Sequence, residues 1–464
     1  EMELFISSSI RGGVSTVTHR HVKAKNPYVD GYDPNEPSTY IAYLDANNLY
    51  GWAMSQSLPY GKFKFEQNVD NFDFMSIRED ASTGHILEVD LEVPDHLHDM
   101  FTDYPLAPES VLVTRDMLSP FCEGFNQKHV DGRKLIPNLY NKSKYIVHYR
   151  NLQLYVQLGM VVTKIHRVLS FAQKPWMKSY IDFNTLKRQE AKNDFEKDFF
   201  KLMNNACFGK TMENVRKRKN INLVFDETQL LKLIAKPQLE SIKILNEDTV
   251  LVDRVKASVT LDKPMFVGFA ILELSKVLMY QFHYFTVKKT YGDGAVLAYT
   301  DTDSLLYSLT GKPYYDFVYE NQDMFDTSNF AKDFVSDSGH VLYSNKNAKV
   351  IGKFKDECGS EAPMEFVGLR SKMYSLLVNK DYSKHTAKGV KRRYVEKHVR
   401  HDMYLHTLKS HKGTRANFVN FMSLAHTVQT INFYRVCLSA YDDKRYVLDD
   451  DITTLAYGHY SLRK

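Results

Sequence analysis

Two aspartates one residue apart stand in Tyr299-Thr300-Asp301-Thr302-Asp303-Ser304, a short polar segment between two apolar runs. The runs 295–299 and 305–309 have strand composition, and the polar segment between them predicts a β-hairpin. Strand alternation predicts that Asp301 and Asp303 point the same way. Carboxylate oxygens are the ligands that Mg²⁺ prefers, so the turn is a candidate metal site of a nucleotidyl or phosphoryl transferase. An acidic turn with a purely structural role has the same residues, and the hairpin alone leaves both interpretations open.

The 464-residue chain has the composition of an ordinary soluble globular protein, with 43% hydrophobic and 25% charged residues. Its length predicts two to four domains or one multi-lobed enzyme, and its net charge of +5 is too small to identify a partner. We find no secretory signal and no uninterrupted apolar run of membrane-spanning length, so we expect no membrane association. The chain begins at Glu1 without a methionine, from which we expect it to belong to a longer product.

The cysteines favour an intracellular location. They lie far apart with no paired spacing, at Cys122, Cys207, Cys358 and Cys437. This arrangement argues against a zinc site or a disulfide framework and suits a reducing compartment.

Charge is distributed unevenly along the chain. Residues 66–109 are acidic and 142–219 are basic and helix-prone, while 384–412 carry nine Lys and Arg against two acids. Such a basic run is typical of a solvated helical face, and it equally suits a surface that follows a phosphate backbone.

A second acidic strand end occurs at Asp45. Residues 39–45 predict a strand, and the chain then turns into a short helical or looped segment through Tyr50. Successive backbone N–H groups from Ala46 to Tyr50 could hold a triphosphate, as helix N-termini do. Aspartate is also a common helix cap, so Asp45 by itself is not diagnostic.

A helix is predicted from about Thr185 to Arg218. One face of it contains Lys197, Lys201, Asn205 and Phe208, at spacings of four, four and three. This face suits a nucleotide, with Lys on the phosphates and Phe against the base, although an ordinary amphipathic helix with exposed lysines has the same pattern. A partly separate apolar stripe, predicted to pack the helix onto the protein, contains Phe195, Phe199, Leu202 and Ala206.

In chain order, these three segments resemble the polymerase motifs of family B DNA polymerases. The family's first motif, Asp-x-x-Ser-Leu-Tyr-Pro, is matched by Asp45-Ala46-Asn47-Asn48-Leu49-Tyr50-Gly51. The second, Lys-x-x-x-Asn-Ser-x-Tyr-Gly, is matched at Lys201, Asn205 and Gly209. The third, Tyr-x-Asp-Thr-Asp-Ser, is present in full at residues 299–304.

Two further segments extend the resemblance over nearly the whole chain. Lys372-Met373-Tyr374 resembles the Lys-x-Tyr motif that holds the primer strand, and Ile10-Arg11-Gly12-Gly13 resembles the Tyr-x-Gly-Gly loop before the polymerase domain. Residues 10–13, 103–109 and 201–218 are most similar to the protein-primed polymerases of Polinton-type (Maverick) transposons and related DNA viruses.

The chain departs from the family pattern without losing a predicted metal ligand. The departures are Ile10 for Tyr, Asn48 for Ser, Gly51 for Pro, Ala206 for Ser and Phe208 for Tyr. We expect backbone donors near the triphosphate to survive the changes at positions 48 and 51.

The resemblance implies an α+β right-hand polymerase, with an antiparallel palm sheet, helical fingers and a C-terminal thumb, and with no exonuclease domain in this chain. We expect an N-terminal linker or loop segment at 1–35, a first palm segment with an insertion at 36–170, fingers at 171–222, a second palm segment at 223–370 and a thumb at 371–464. Asp90-Leu91-Glu92 has the Asp-x-Glu form of an exonuclease motif but follows Asp45. We interpret it as an exposed strand edge and expect no proofreading by this chain.

The resemblance also implies the chemistry, which is transfer of dNTPs to a primer 3′-hydroxyl with two Mg²⁺ ions, for which Mn²⁺ can substitute. Asp45 and Asp303 are the predicted catalytic metal ligands, and Asp301 is an accessory catalytic acid. Tyr50 is expected to lie under the deoxyribose and leave no room for a 2′-hydroxyl. The predicted nucleotide-binding residues are Asn48, Leu49, Tyr50, Arg188, Lys197, Lys201, Asn205 and Phe208, with Lys192 as a further cation. The predicted DNA-binding residues are Arg11, Gly12, Gly13, Thr302, Lys372 and Tyr374.

The partners implied are primer-template DNA, dNTPs and a terminal protein primer encoded elsewhere or upstream. We expect a monomer in the nucleus or at a viral replication site. A catalytically inactive, DNA-binding remnant of a mobile element is an alternative, although Asp45, Lys201, Asn205 and Asp303 are intact. A reverse transcriptase is another, but those enzymes usually place adjacent aspartates in the hairpin.

Overall fold

The computed structural model describes residues 1–125, 132–424 and 427–463, and the structural statements below refer to those ranges. The predicted ranges 36–170 and 371–464 therefore include a few residues that lie outside the described ones, namely 126–131, 425–426 and 464. The helices are α1 (Met2–Ser7), α2 (Leu49–Met54), α3 (His98–Phe101), α4 (Pro120–Glu123), α5 (Tyr149–Gln157), α6 (Lys178–Glu190), α7 (Asp194–Thr211), α8 (Glu227–Ile234), α9 (Met265–Gln281), α10 (Lys288–Tyr291), α11 (Tyr314–Glu320), α12 (Arg392–His398) and α13 (His401–Ser410). The strands are β1 (Ser15–Val17), β2 (His21–Lys23), β3 (Thr39–Ala46), β4 (Leu58–Phe65), β5 (Thr83–Glu92), β6 (Glu109–Val113), β7 (Gly132–Ile136), β8 (Lys142–His148), β9 (Val161–Lys174), β10 (Lys219–Val224), β11 (Leu239–Asn246), β12 (Thr249–Val255), β13 (Ala295–Asp301), β14 (Ser304–Thr310), β15 (Phe325–Asp326), β16 (Phe354–Asp356), β17 (Glu365–Arg370), β18 (Met373–Leu377), β19 (Ser383–Ala387), β20 (Thr414–Leu424), β21 (Thr427–Leu438), β22 (Tyr446–Val447) and β23 (Thr454–Leu455).

A six-stranded sheet carries both acidic strand ends. Its strands follow the order β1-β13-β14-β3-β16-β15. β13 and β14 form a hairpin, and β14 pairs antiparallel with β3, so that Ser304 lies opposite Asp45. The predicted hairpin, and its position beside the Asp45 strand in one antiparallel sheet, are confirmed.

The register of this sheet is fixed because both of its faces are buried. Along β3, Ala42 and Leu44 face a large core shared with α5, α9 and α11, whereas Ile41 packs in a second cluster with side chains of β17 and β18. Slipping the strand by one residue would exchange the two sets of side chains between cores of different shape. Packing on both faces therefore holds Asp45 opposite Ser304.

The helix α9 lies in the core and continues through a π-helical segment, Phe282–Val287, into α10. By length and composition the segment Met265–Gly294 is able to cross a membrane, since an 18-residue window within it has a mean hydropathy of 1.4, but 78% of that window is buried inside the protein. A helix that is apolar on all sides occurs in large protein cores as well as in bilayers. Glu273 and Lys276 interrupt the apolar run of this segment, so the sequence did not indicate a membrane-spanning run here.

Two helices, α6 and α7, stand where one helix was predicted from Thr185 to Arg218. α6 stops at Ala191, whose ψ of 132° is not helical, and Asn193 caps α7 by accepting a hydrogen bond from the N–H of Glu196. The single-helix prediction is wrong because the asparagine side chain satisfies a free N–H group at a new helix start.

The apolar stripe predicted to pack α7 onto the protein is exposed. The exposed fraction is 79% for Phe195, 45% for Phe199 and 61% for Leu202, and Ala206 is exposed as well. α7 packs instead through the buried Asn204 and through the side that includes Cys207 and Phe208, which meets α2 and α9. The predicted packing face of α7 is wrong, because an apolar stripe does not by itself show which side of a helix its neighbours cover.

A second antiparallel sheet has the strand order β4-β9-β5-β8. β5 is hydrogen-bonded on both sides, to β8 and to β9, so the interpretation of Asp90-Leu91-Glu92 as an exposed strand edge is wrong.

The strands β10, β12 and β11 form a separate sheet after α7, and β20 and β21 form a long hairpin near the C-terminus. The boundary predicted at 370/371 falls in the turn between β17 and β18, and the domain boundaries stay predictions.

Candidate active site

Asp45 and Asp303 come together where β3 ends beside the hairpin turn. Ala46 donates its backbone N–H to the carbonyl oxygen of Asp303 at 2.7 Å, which fixes the turn against the strand end. Burial, and after it the charges of Asp303 and Glu357, raise the pKa of Asp45 to about 8. Burial also raises the pKa of Asp303. Two partly buried carboxylates that resist ionising together favour a cation between them.

These two carboxylates supply only some of the ligands that a metal ion needs. Among the residues that the structure describes, no cluster of three or more His, Cys, Asp and Glu side chains could hold a metal ion. Mg²⁺ is commonly bound by one or two carboxylates together with substrate phosphates and water, and a pair such as Asp45 and Asp303 fits that pattern.

Asp301 is held by Lys372. The Lys372 Nζ lies 2.7 and 2.5 Å from the two carboxylate oxygens of Asp301, and the Tyr299 hydroxyl donates to Oδ2 at 3.2 Å. Thr302 adopts a left-handed conformation with φ of 61°. Strand alternation does not continue through this turn, so it does not decide whether Asp301 and Asp303 point the same way, and that expectation stays a prediction.

The predicted primer-strand residues line a groove beside the hairpin. Tyr374 is buried, its hydroxyl lies 2.9 Å from that of Tyr43, and its ring centroid is 4.6 Å from that of Tyr299. Lys372 occupies the turn before β18 with φ of 59°. The groove has a volume of about 850 Å³, and its lining includes Asp301, Lys372, Tyr374, Lys384, Lys388 and Arg392.

The loop at Arg11, Gly12 and Gly13 packs against the hairpin turn. A Cβ atom at Gly13 would lie 2.1 Å from Oγ1 of Thr302, whereas one at Gly12 would meet nothing within 4 Å. The guanidinium of Arg11 lies 3.8 Å from the ring centroid of Tyr145 and is engaged inside the protein. A DNA contact by these residues and by Thr302 stays a prediction.

Asn48 and Gly51, two departures from the family pattern, fit one another. Asn48 is left-handed with φ of 44°, and its Oδ1 accepts a hydrogen bond from the N–H of Gly51 at 3.2 Å. A Cβ at Gly51 would lie 2.3 Å from Nδ2 of Asn48. Proline, the family's residue at this position, lacks the N–H and would bring ring atoms into the asparagine, so the two changes belong together.

The backbone N–H groups after Asp45 are only partly free. Those of Ala46 and Asn47 donate to the carbonyls of Asp303 and Lys353 at 2.7 and 2.8 Å. The expectation that they hold a triphosphate is therefore wrong for these two residues. The amides of Asn48, Leu49 and Tyr50 lie at the start of α2, where N–H groups lack an intrahelical acceptor, and they remain candidates.

Tyr50 and Phe208 join α2 to α7. Their ring centroids are 4.3 Å apart at an interplanar angle of 30°. Burial, and then the charges of Asp303 and Asp301, raise the pKa of Tyr50, so its phenol stays protonated. Asn205, on the preceding turn of α7, is exposed.

Of the cations predicted on the helices, Lys201 acts most directly on the carboxylates. Its charge lowers the pKa values of both Asp45 and Asp303 against the effect of burial. Lys197, one turn earlier, is ion-paired with Asp194 at 2.9 Å. Arg188 is half-buried, and within the described ranges its Nε has no hydrogen-bond partner. The exposed Lys192 donates its backbone N–H to Glu196.

Sequence reasoning missed Lys349, Lys355 and Glu357. Lys355 lies opposite Asp45 in the pairing of β16 with β3. The structure buries Phe354 and Asp356 and leaves Lys355 partly exposed, but the sequence shows no such alternation because Lys355, Asp356 and Glu357 are all charged. Lys349 lies in a loop, where no periodic pattern marks it.

Comparison with known proteins gives one family. A family model described as DNA polymerase type B, organellar and viral, matches residues 1–285. No curated protein matches the chain.

Solved structures of Phi29 DNA polymerase share the fold. An orthorhombic crystal form is 15% identical with a TM-score of 0.55, covering 94% of this chain and 63% of that one. A ternary complex with primer-template DNA and incoming nucleotide substrates is 14% identical with a TM-score of 0.54, covering 94% and 62%. A post-translocation binary complex with primer-template DNA is 15% identical with a TM-score of 0.53, covering 94% and 63%. The chain thus spans 62–63% of the length of these proteins.

The fit between Asn48 and Gly51 predicts the effect of adding a methyl group. Gly51→Ala should lower the free energy of unfolding by about 1–3 kcal/mol, because its Cβ overlaps Nδ2 of Asn48. Shortening the neighbour in Asn48→Ser/Gly51→Ala should recover much of that loss. Gly209→Ala is the matched control, since its Cβ on α7 meets nothing within 4 Å. Equal urea midpoints for Gly51→Ala and wild type would contradict the packing.

The raised pKa of Asp45 predicts a pH-dependent stability. The folded protein holds this proton up to about pH 8, whereas the unfolded chain releases it near pH 4. The contribution to stability is therefore complete below about pH 4 and is lost as pH rises through about 8. In metal-free protein, Asp45→Asn should raise the melting temperature at pH 8, and this gain should shrink toward pH 4.

Adding Mg²⁺ at pH 8 should stabilise the wild type more than Asp45→Asn, because the ion needs the ionised carboxylate. The control is Asp293→Asn, which removes an exposed carboxylate at the other end of β13. A rise in the melting temperature of Asp45→Asn that did not vary with pH would contradict the raised pKa of Asp45. Equal stabilisation of wild type and Asp45→Asn by Mg²⁺ would contradict the assignment of Asp45 as a metal ligand.

Proposed function

The chain belongs to the organellar and viral type B DNA polymerases, and from that premise we propose that it adds deoxynucleotides to a primer 3′-hydroxyl on a DNA template. The observation that carries this proposal is that Asp45 and Asp303 lie close together, partly buried, and that the positive charge of Lys201 acts on both carboxylates. Nucleotidyl transfer needs carboxylates that bind metal ions and a cation that neutralises the negative charge of the phosphates.

Asp45 and Asp303 would hold the divalent ions, Mg²⁺ or in its place Mn²⁺. Their raised pKa values, and the partial burial that causes them, fit a site that is completed by cations. Bound there, two such ions would stabilise charge on the attacking and leaving oxygens. Asp301 would act on the same site indirectly, since its carboxylate is ion-paired with Lys372.

The nucleotide would lie beside the contact between α2 and α7. Lys201 and Lys197 would neutralise phosphates, and the start of α2 would offer the amides of Leu49 and Tyr50. Tyr50 and Phe208, whose rings are in contact, would form one wall of this space. Because both rings are held by mutual contact, the space beside the sugar is defined before the substrate enters. Asn48, Arg188 and Asn205 would complete the nucleotide contacts.

The primer would occupy the groove that contains Lys372 and Tyr374. Lys384, Lys388 and Arg392 add positive charge there, and such side chains contact phosphates without selecting sequence. The Phi29 structures with primer-template DNA and nucleotide support these ligand classes by fold similarity.

The proposal also includes the right-hand domain ranges, the contacts at Arg11, Gly12, Gly13 and Thr302, a terminal protein primer, the monomeric state, and a nuclear or viral replication site.

The first test of this function is primer extension. Asp45→Asn and Asp303→Asn should each lower extension at least about 10²- to 10³-fold while leaving folding and DNA affinity intact, because each removes charge from the transition-state site. Asp293→Asn should extend primers as the wild type does. DNA and RNA templates should be compared with the same primer.

Each other outcome of that assay identifies an alternative. DNA binding without extension by the wild type would indicate an inactive remnant, and efficient extension only on RNA would indicate an RNA-templated enzyme. Substantial extension by either aspartate variant would contradict its assignment as a metal ligand.

The second test concerns sugar selection. Tyr50→Ala should reduce discrimination against ribonucleotides about tenfold or more, because it opens the wall beside the sugar. Tyr50→Phe keeps the ring against Phe208 and should discriminate as the wild type does. Incorporation of each rNTP and dNTP is measured as kcat/KM. Unchanged discrimination in Tyr50→Ala would remove Tyr50 from this role.

A further inference from the structure

The loop at residues 345–353 is tied to the turn that follows Asp45. Asn47 donates its backbone N–H to the carbonyl of Lys353 at 2.8 Å, and its own carbonyl accepts from Gly352 at 2.7 Å. The side chain of Asn47 also donates to Asp326 at 2.8 Å. The loop therefore has a fixed position relative to the catalytic carboxylates.

Within this loop, the backbone of Lys349 is held in a conformation that lysine rarely adopts. Its φ is 58°, and its N–H donates to Oδ2 of the buried Asp326 at 2.8 Å. The two oxygens of Asp326 also accept bonds from Asn47 and from Ser328, so this carboxylate is fully engaged. A left-handed lysine is a strained choice in a position where glycine or asparagine is easier, and such strain often marks a functional residue.

The side chain of Lys349 faces the cations of α6 and α7. Its Nζ lies 3.4 Å from the carbonyl oxygen of Arg188, and Gln189 donates to the carbonyl of Ala348 at 3.0 Å. Burial, and after it the positive charges of Lys197 and Arg188, lower the pKa of Lys349, with Asp326 opposing them. The positive groups of Lys349 on the loop, Arg188 on α6 and Lys197 on α7 thus converge on one place.

We propose that Lys349, together with Lys197 and Arg188, binds the terminal diphosphate of the nucleotide, an assignment that rests on the proposed function. The chemistry recognised is a diphosphate, either as the β- and γ-phosphates of a bound dNTP or as released pyrophosphate. Convergent cations repel one another in the free protein, and an anion between them converts that repulsion into attraction.

The position along α7 identifies the terminal phosphates rather than the reacting one. Lys201 acts on Asp45 and Asp303, whereas Lys197, four residues earlier, acts on Lys349. Four residues of helix span about 6 Å, which is the scale of a triphosphate chain. The row therefore leads from the carboxylates, where the α-phosphate must react, toward Lys349.

A neighbouring lysine provides the contrast. Lys346 lies in the same loop, but its side chain is 70% exposed and is paired with Asp323 at 2.7 Å. An exposed, paired lysine of this kind contributes little to anion binding. Substituting it should leave phosphate affinity unchanged.

The experiment compares Lys349→Asn, Lys349→Arg and Lys346→Asn with the wild type. Asparagine tolerates the left-handed backbone and keeps the N–H that binds Asp326, so Lys349→Asn removes charge with little expected effect on folding. Dissociation constants are measured by calorimetry with Mg²⁺, in one arm for pyrophosphate alone and in another for a dNTP with a dideoxy-terminated primer-template. Steady-state extension gives KM and kcat.

We expect Lys349→Asn to weaken binding and raise the KM for dNTP about tenfold, with kcat changed less, because a charge-assisted contact to phosphate is lost. Lys349→Arg should restore affinity, and Lys346→Asn should match the wild type. Weaker binding in one arm only would support the proposal and assign the contact to that source.

Equal affinities of Lys349→Asn and wild type in both arms would overturn the proposal, as would a loss that Lys349→Arg fails to restore. These outcomes differ from failure of the proposed function. A wild-type protein that bound both ligands but extended no primer would refute polymerase activity, while the comparison at Lys349 would still be decided by affinity.

Discussion

In the antiparallel pair of β3 and β14, Asp45 lies opposite Ser304, and Ala46 donates its N–H to the carbonyl of Asp303. These backbone bonds bring two carboxylates together in a place that water only partly reaches, which is costly for charged groups. The raised pKa values of Asp45 and Asp303 express that cost. Lys201 on α7 and Lys355 on β16 supply positive charge that offsets part of this cost at Asp45.

The sheet was predictable because its constraints are local and periodic. The runs around the turn at residues 302–303 have strand composition, and two buried faces leave little freedom in their register. At two other places, a single residue changed the structure that the periodic pattern predicted. The side chain of Asn193 begins a new helix inside a segment whose periodicity predicted one helix, and the left-handed Thr302 ends the alternation from which side-chain directions were inferred.

Contacts set by distant segments of the chain account for what the sequence could not show. The stripe containing Phe195 and Leu202 looked like a packing face, but α2 and α9 cover the adjacent side of α7. Lys349 reaches the site through the buried Asp326 and a strained backbone, neither of which has a periodic signal. Asn48 and Gly51 are both visible in the sequence as departures from the family pattern, but only the structure explains them, because the two residues contact one another.

The elements that carry the cations near the carboxylates differ in how firmly they are held by buried contacts. In α7, Asn204 is the one buried residue among those described, whereas α9 buries both apolar and charged side chains along most of its length. Elements with little buried surface open at lower free-energy cost than core elements. The loop with Lys349 is bonded to Asn47 and Asp326, so its cation has a fixed position relative to Asp45. Lys197 and Lys201 lie on the less anchored helix, so the positive charges near Asp45 and Lys349 come in part from an element that is easier to displace than the sheet.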